Sequence, residues 1–176
     1  MKHFIIILFA LCGISANAQG LYDQCANEVE SILNEAETIW YNNGTTYLYT
    51  PERQARYVGY CIKASSVVDN YLQRSTITAE KVDLLWMQLR LLSDFLYNED
   101  GQSYNGLTSA EYNRYIDKYM SIINKLSGYC NGISNIDERN LEQAYIAQNL
   151  GYIYYYQKNY QKAKEQFNVV VLKYNS

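Results

Sequence analysis

Residues 144–174 constrain the fold more than any other part of the chain, because a glycine lies in the middle of their helical pattern. A glycine inside a helix costs about 1 kcal/mol relative to alanine, so it is expected where a second helix must approach closely. Gly151 is that residue, and Ala163 offers a small surface on the helix that follows. Three larger side chains are expected to fill the space around them: Leu150, Tyr154 and Phe167. The segment therefore predicts two antiparallel helices packed tightly against each other.

The same segment resembles the tetratricopeptide repeat (TPR), a helix pair of about 34 residues with the pattern W-x2-L-G-x2-Y…A-x3-F…P. The residues at the defining positions of this pattern are Leu150, Gly151, Tyr154, Tyr160, Ala163 and Phe167. Ala147 stands in place of the tryptophan, Lys158-Asn159 in place of the turn glycine, and Asn175 in place of the final proline. The resemblance implies a TPR-like α-solenoid, a fold with extended surfaces for binding protein or peptide partners.

Apolar residues recur at helical spacing through the rest of the chain, and alternation of the strand type is absent. Helix starts are marked by Thr50-Pro51-Glu52 and by the capping box Thr108-Ser109-Ala110-Glu111. The third predicted helix is apolar around most of its circumference, which predicts a central position. Six helices are expected, close to residues 21–41, 50–72, 79–97, 108–132, 134–157 and 160–174. The predicted fold is therefore all-α, with antiparallel helix pairs stacked as a short α-solenoid.

The N-terminus predicts a secretory signal peptide over residues 1–18. A basic start at Lys2-His3 is followed by an apolar run over residues 4–11 and by the small-x-small cleavage site Ala16-Asn17-Ala18. The apolar run is too short to span a bilayer, so the mature chain is expected to be exported without a transmembrane segment. Its expected location is the periplasm of a bacterium or the medium, as a secreted protein.

Cleavage at that site would leave a single helical domain over residues 19–176. Residues 19–132 would form degenerate helical pairs, and residues 134–176 would form the TPR-like pair. Cys12 leaves lipoprotein processing as an alternative, although the residue before such a cysteine is usually small and here it is Leu11.

The composition argues against several classes of enzyme. His3 is the only histidine and would leave with the signal peptide, which excludes a Ser-His-Asp triad, a Cys-His pair and a histidine-bound metal in the mature chain. No phosphate-binding or dinucleotide-binding glycine motif occurs. We therefore expect a non-catalytic protein with no cofactor and no metal. The alternative is a small helical enzyme or ligand carrier, whose mark would be an enclosed cavity in which Glu111 or Asp117 faces Glu142.

Charge gives no support for nucleic-acid binding. The formal net charge is −3, and the lysines and arginines form no basic patch along the sequence. The carboxylates are likewise scattered over helix faces of the solvated type. The chain is therefore expected to bind protein or peptide and no nucleic acid.

Three cysteines remain beyond the predicted signal peptide: Cys25, Cys61 and Cys130. Each falls on the apolar face of a predicted helix, where a cysteine behaves as a small buried hydrophobe. An exported chain enters an oxidising compartment, so one disulfide among three alternative pairings stays open. No C-x-x-C motif occurs, which argues against a metal knuckle or a thioredoxin-type redox site.

Tyrosine is the other unusual feature, with 20 in the chain. Its large, rigid apolar face and its hydroxyl suit both half-buried contacts and binding surfaces. The resemblance to TPR proteins implies that one face of the fifth helix lines a groove for a peptide or a partner helix: Tyr145, Gln148, Tyr152, Tyr155 and Tyr156. The alternative is that tyrosines of the fourth helix fill this groove from within: Tyr112, Tyr115 and Tyr119.

The last predicted helix is apolar on more than one side, through residues 169–172 and Tyr174. A solenoid normally ends in a helix with a polar outer face. We therefore expect this end to associate with another copy or with further repeats. Taken together, the sequence predicts an interaction scaffold of the bacterial cell envelope with an aromatic, uncharged groove.

Overall fold

The computed structural model describes residues 20–42, 46–47, 49–97 and 106–174. The predicted signal peptide and its cleavage site lie outside the described residues. Six α-helices make up most of the described chain: α1 (Leu21–Glu37), α2 (Pro51–Arg74), α3 (Thr78–Leu96), α4 (Ser109–Cys130), α5 (Ile136–Tyr156) and α6 (Tyr160–Tyr174). The all-α prediction and the six predicted helices are confirmed.

The end of the first helix differs from the prediction. A 3-10 helix over Thr38–Trp40 replaces the expected last α-helical turn. The carbonyl of Ile39 accepts a hydrogen bond of 2.5 Å from Arg53 Nη1 at the start of α2. Beyond it, two short strands, β1 (Tyr41–Asn42) and β2 (Thr46–Tyr47), pair antiparallel. The long-range bond and the strand pairing use backbone groups that a further helical turn would need.

Residues that cap helices hold the starts of α2, α4 and α5. Thr50 Oγ1 accepts a hydrogen bond of 3.2 Å from the backbone N–H of Arg53. Thr108 and Glu111 form a reciprocal capping box, in which the Glu111 carboxylate accepts from the Thr108 N–H at 2.8 Å. The side chain of Asn135 accepts from two backbone N–H groups in the first turn of α5. Each cap contributes about 1 kcal/mol, so local sequence signals fix where these helices begin.

Consecutive helices pack against each other from α1 to α6. Two hydrogen bonds show that α1 and α2 are antiparallel: the Tyr60 hydroxyl donates to Glu35 at 2.8 Å, and the Tyr71 hydroxyl donates to Glu28 at 3.2 Å. Alternate helices are also in contact. Helix α3 packs against α1 as well as α2, and α5 packs against α3 as well as α4. The protein is therefore a short solenoid-like stack in which each new odd-numbered helix covers the groove of the preceding pair.

Helix α3 occupies the centre of this stack, as its apolar circumference predicts. Leu84 and Leu91 pack with α1 and α2 in one core cluster. Leu85 and Leu92 pack with α2, α4 and α5 in a second cluster. All four leucines are buried. One helix therefore joins the two cores of the domain.

A partly buried polar network ties α2, α3 and α4 together. Gln88 on α3 is buried, and its Nε2 donates to the Ser65 carbonyl at 3.0 Å and to Asp69 Oδ1 at 2.7 Å. Lys118 on α4 donates to Asp69 Oδ2 at 2.6 Å and to Ser65 Oγ at 3.0 Å. A buried polar group that loses its partner costs about 1–3 kcal/mol, so this network fixes how the three helices align.

The pair formed by α5 and α6 is the most closely packed in the stack. A Cβ added at Gly151 would lie 2.5 Å from Cε1 of Phe167, so the phenylalanine ring lies directly on the glycine backbone. The close approach predicted at Gly151 is confirmed, but an aromatic ring of α6 fills the space that was expected to face a small residue. Ala163 is itself buried, one turn before Phe167 on α6.

The turn between α5 and α6 forms without the glycine of the TPR pattern. Lys158 has φ of 61°, a left-handed conformation that glycine adopts without steric cost. The N–H of Asn159 donates to the Tyr154 carbonyl at 2.8 Å, which closes the end of α5. Asn159 Oδ1 then accepts from the N–H of Lys162 at 3.3 Å in the first turn of α6. Asn159 therefore ends one helix and starts the next.

Alanine substitutions at three helical glycines test the close approach of α6. Gly151→Ala is expected to lower the free energy of unfolding by about 1–3 kcal/mol, because the new methyl group must displace the Phe167 ring. Gly59→Ala and Gly128→Ala should raise it by about 0.5–1 kcal/mol, because nothing lies within 4 Å of either added Cβ. Denaturant unfolding followed by circular dichroism measures all three. Equal increases in the free energy of unfolding at the three positions would contradict the close contact between Gly151 and Phe167.

Candidate functional site

Six aromatic residues on one face of the α5–α6 pair form a surface that we name the aromatic ladder: Tyr145, Tyr152, Tyr155, Tyr160, Phe167 and Tyr174. They meet across the pair as three rungs. The ring centroids of Tyr152 and Phe167 are 5.4 Å apart, edge to face. Those of Tyr155 and Tyr160 are 5.6 Å apart in the same arrangement. Tyr145 and Tyr174 form the third rung, where burial and then the nearby Tyr174 hydroxyl raise the pKa of Tyr145.

Helical spacing explains why these residues share one face. On α5 the ladder residues follow one another by seven and three positions, and on α6 by seven and seven. Side chains at such intervals point in nearly the same direction from a helix. Because the two helices are antiparallel, the first aromatic residue of α5 meets the last of α6. At about 1.5 Å per residue, the α5 side of the ladder is about 15 Å long.

The ladder is open to solvent along its whole length. Its five tyrosines are between 40 % and 60 % exposed, and Phe167 is half-buried against Gly151. Further apolar side chains extend the surface, namely Leu141 on α5 and Val171 on α6. Exposed aromatic surface of this extent is uncommon on a monomer and commonly marks a site of interaction.

Tyr97, at the end of α3, forms a wall behind the ladder. Its ring stacks on Tyr156 with a centroid distance of 5.3 Å and lies 5.7 Å from the ring of Tyr152. Its hydroxyl is hydrogen-bonded to the hydroxyl of Tyr119, and both hydroxyls lie near Asn149 Oδ1, at 3.3 Å and 3.1 Å. Burial raises the pKa of Tyr97 and Tyr119, which stay neutral hydroxyls at physiological pH. This network fixes the orientation of α5 against α3 and α4.

The tyrosines of α4 do not cover the ladder. Tyr112 donates to the Leu96 carbonyl at 3.3 Å, and Tyr115 packs edge-on against Phe95 at 5.4 Å. Only Tyr119 reaches the region, and it does so from behind, through Tyr97. The described part of α4 therefore leaves the face of the α5–α6 pair open.

The structure separates the predicted groove residues into two groups. Tyr145, Tyr152 and Tyr155 lie on the open ladder. Gln148 lies between Tyr145 and Tyr152 in sequence, and its side chain is half-buried on the same face. Tyr156 is half-buried against Tyr97.

Of the predicted repeat residues, Gly151, Ala163 and Phe167 lie at the interface of the pair. Leu150 packs instead against the core cluster that α5 shares with the preceding helices. Tyr154 is half-buried beneath Lys162, and Tyr160 is exposed on the ladder.

Sequence reasoning missed the contribution of α6 and α3 to this surface. Tyr160 and Phe167 were expected only as packing residues, and Tyr174 only as part of an apolar helix end. The seven-residue spacing of these three residues was a readable signal, because it places them on one stripe of α6. Tyr97 carried no local signal, since it comes close to α5 only through the stacking of the helices.

Acidic side chains lie near the end of the ladder formed by Tyr145 and Tyr174. Glu142 accepts a hydrogen bond of 3.2 Å from Trp86 Nε1. Burial raises the pKa of Glu142 most, the bond from Trp86 opposes this shift, and the negative charges of Glu138 and Asp83 add to it. Burial also raises the pKa of Asp83. The carboxylates at this end are partly desolvated and repel one another.

The pair of acids expected in the enzyme alternative does not form at Glu111. Its carboxylate binds the N–H and the hydroxyl of Thr108 at the start of α4, at 2.8 Å and 2.7 Å, and these bonds lower its pKa. The acids whose charges add to the raised pKa of Glu142 are instead Glu138 and Asp83. Glu111 is a capping residue, so the acid pair that would mark the enzyme alternative does not form with it.

Ser65 and Lys118 are the one described serine–lysine pair with nucleophile-like geometry, with 3.0 Å between Oγ and Nζ. Ser65 is buried, so a substrate has no access to its hydroxyl. The ammonium of Lys118 is engaged by Asp69, with 2.6 Å between Nζ and Oδ2. The pair acts as part of the helix-aligning network.

Among the described residues, no group of three or more His, Cys, Asp or Glu side chains is arranged to hold a metal ion. Within the same part of the chain, no helix has the length and apolar character needed to cross a membrane. Comparison with protein-family models, with curated proteins and with solved structures finds no match.

The three cysteines of the helical domain are buried free thiols: Cys25, Cys61 and Cys130. Burial raises the pKa of Cys25 to about 12 and also raises the pKa of Cys61 and Cys130. A thiol with a raised pKa stays protonated at neutral pH and is a poor nucleophile. The prediction that these residues are small buried hydrophobes is confirmed.

Thiol labelling tests this burial. In a reduced chain beginning at Gln19, we expect no alkylation of the three cysteines under native conditions and full alkylation in denaturant, measured by intact mass. Ser66→Cys, at an exposed position of α2, serves as the positive control and should be labelled rapidly in the folded protein. Rapid native labelling of any of the three would contradict their burial.

Neutralising Glu142 should stabilise the fold in a pH-dependent manner. Its pKa is raised in the folded state, so ionisation of its carboxyl lowers the free energy of unfolding as the pH rises above the ordinary pKa of a glutamate. Glu142→Gln is therefore expected to raise the melting temperature at about pH 7, and the gain should vanish near pH 3, below the ordinary pKa of a glutamate, where the carboxyl is protonated in both states. Glu30→Gln, at an exposed position of α1, is the control. A gain that is independent of pH would contradict this account.

Proposed function

We propose that this protein is a non-catalytic interaction scaffold that binds a protein partner through the aromatic ladder. The observation that carries the proposal is the alignment of three aromatic rungs along about 15 Å of an open helix pair. Tyrosine and phenylalanine supply large contact areas at a low cost in side-chain entropy, and such residues dominate binding energy at protein interfaces. The contacts of Phe167 with Gly151 and of Tyr97 with Tyr152 hold the side chains of the middle rung in place, so that rung needs little side-chain ordering on binding.

The ladder favours a peptide segment or a partner helix with apolar side chains. The surface consists of aromatic faces with hydroxyls at their rims, and the nearby charges at the Tyr145 end are acidic. It therefore does not resemble the basic clamp with which some TPR domains hold a C-terminal carboxylate. A partner side chain inserted between two rungs would contact the faces of aromatic rings, and the backbone of the partner would form hydrogen bonds with tyrosine hydroxyls.

We also propose that α5 and α6 form an atypical TPR unit. Close packing at Gly151, an antiparallel pair and a left-handed residue in the turn all agree with that assignment. The pattern of residues 1–18 supports export, which places the scaffold in the bacterial cell envelope, in the periplasm or outside the cell.

Affinity capture with matched tyrosine variants tests the proposed function. The bait is the chain beginning at Gln19, and the sample is the solubilised envelope fraction of the source organism. Tyr152→Ala combined with Tyr155→Ala is expected to lower recovery of a specific partner by about tenfold or more, because truncation of central aromatic residues at an interface typically costs more than 1 kcal/mol. Tyr129→Ala, at an exposed tyrosine of α4 outside the ladder, is the control and should leave capture unchanged.

Thermal unfolding of each variant accompanies this experiment, so that loss of binding is read only from folded protein. Equal recovery of every captured protein by the ladder variant and by wild type would overturn the proposal. Equal loss with the Tyr129 control would do the same, since it would place the binding surface elsewhere.

A further inference from the structure

Five tyrosine rings form a continuous path from the core of the stack to the surface of the α5–α6 pair: Tyr119, Tyr97, Tyr156, Tyr155 and Tyr160. The buried ring of Tyr119 lies 6.1 Å from that of Tyr97, measured between centroids. The next three distances along the path are 5.3, 5.5 and 5.6 Å. Rings at these separations are in direct contact. An electron removed from one ring of the path can therefore be replaced from its neighbour.

The two ends of the path differ in what happens to the phenolic proton. A tyrosine loses an electron readily only when its proton leaves at the same time. Burial raises the pKa of Tyr119 and Tyr97, whose hydroxyls are hydrogen-bonded to each other. At the other end, Tyr155 and Tyr160 are 48 % and 60 % exposed, so water can accept their protons. Oxidation of the path therefore leaves the radical on the exposed pair.

The turn between α5 and α6 keeps the two exposed rings in contact. Tyr155 lies in the last turn of α5, and Tyr160 is the first residue of α6. The hydrogen bond of 2.8 Å from the Asn159 N–H to the Tyr154 carbonyl closes the turn between them. The edge of one ring meets the face of the other, with 64° between their planes. Exposed side chains change rotamer within nanoseconds, so the carbons ortho to the two hydroxyls can approach each other.

The other two rungs of the ladder lack one of these properties. Tyr152 meets Phe167, which has no hydroxyl and cannot form a phenoxyl radical. The rung of Tyr145 and Tyr174 lies about 15 Å from Tyr155 along α5, outside the path of contacting rings. The rung at the turn is therefore the one that combines ring contact, two hydroxyls and access to water.

We propose that Tyr155 and Tyr160 are a modification site, at which a one-electron oxidant, a haem peroxidase supplied with hydrogen peroxide, joins the two rings as dityrosine. The peroxidase removes one electron from each tyrosine, and each hydroxyl releases its proton to water. The two radicals combine through their ortho carbons and form one C–C bond. The hydrogen on each joined carbon then moves to the oxygen of its own ring, which restores the phenol. Hydrogen peroxide takes up the two electrons and two protons and becomes two molecules of water.

Cross-linking at this site requires no partner protein and is therefore separate from the proposed function. The new bond would tie the end of α5 to the start of α6, the helix that packs mainly against one neighbour. One rung of the ladder would then be fixed covalently.

Oxidation of the dilute chain beginning at Gln19, with a haem peroxidase and hydrogen peroxide, tests the inference. The expected product is a monomer that has lost two hydrogen atoms by intact mass and that shows dityrosine fluorescence. Trypsin cleaves after Lys158, between the two tyrosines, so residues 140–158 and 159–162 should remain joined as one cross-linked peptide. Tyr155→Phe and Tyr160→Phe should each abolish this product, because phenylalanine forms no phenoxyl radical.

Two matched variants at exposed tyrosines of the same ladder serve as controls. Tyr152→Phe and Tyr145→Phe should leave the yield of the cross-linked monomer unchanged. Circular dichroism of each variant shows that the yields are compared between folded proteins.

Absence of a cross-linked product, or dityrosine found only in covalent dimers, would overturn the inference. A monomeric cross-link that persists in Tyr155→Phe or Tyr160→Phe would do the same, as would its loss in either control. None of these results bears on the proposed function, which affinity capture with the folded chain tests separately.

Discussion

The contact between the Phe167 ring and the backbone at Gly151 is the interaction on which the candidate site depends. Helix α6 packs mainly against α5, and Ala163 is its one buried residue among those described. The ring therefore sets both the distance and the rotation of α6 relative to its neighbour. This contact fixes the middle rung, while the turn at Asn159 and the hydrogen bond from Lys173 to Asn140 hold α6 on either side of it. The missing side chain at position 151 is thus what lets the six aromatic residues approach one another.

Much of the fold was readable from local sequence. Thr50 and the Thr108–Glu111 pair marked helix starts because capping uses side chains within three residues of the bonded N–H groups. The apolar circumference of α3 predicted its central position for an equally direct reason, since a helix buried on two sides has little polar surface. The three cysteines lay on apolar stripes and are buried. These features depend on spacing along one helix, which sequence displays.

The parts that were not readable depend on distances between helices. Lys118 binds Asp69 and Ser65 across more than forty positions of sequence, and no spacing rule connects such residues. Tyr97 forms the wall of the candidate site because α3 ends beside α5. Whether Glu111 or Asp117 faces Glu142, the mark of the enzyme alternative, was a question of the same kind, and the capping bonds to Thr108 hold the Glu111 carboxylate at the start of α4.

The anchoring of the last helix has a consequence for dynamics. Helix α3 is held on two sides by two core clusters, whereas α6 has one main neighbour, so its backbone hydrogen bonds open at a lower free-energy cost. Half of the ladder is built from this weakly held helix. Any molecule that covers the ladder must therefore also oppose the fraying of α6, and part of its binding energy appears as local folding. Occupied and vacant forms of the protein would then differ most in how well the C-terminal helix resists proteases.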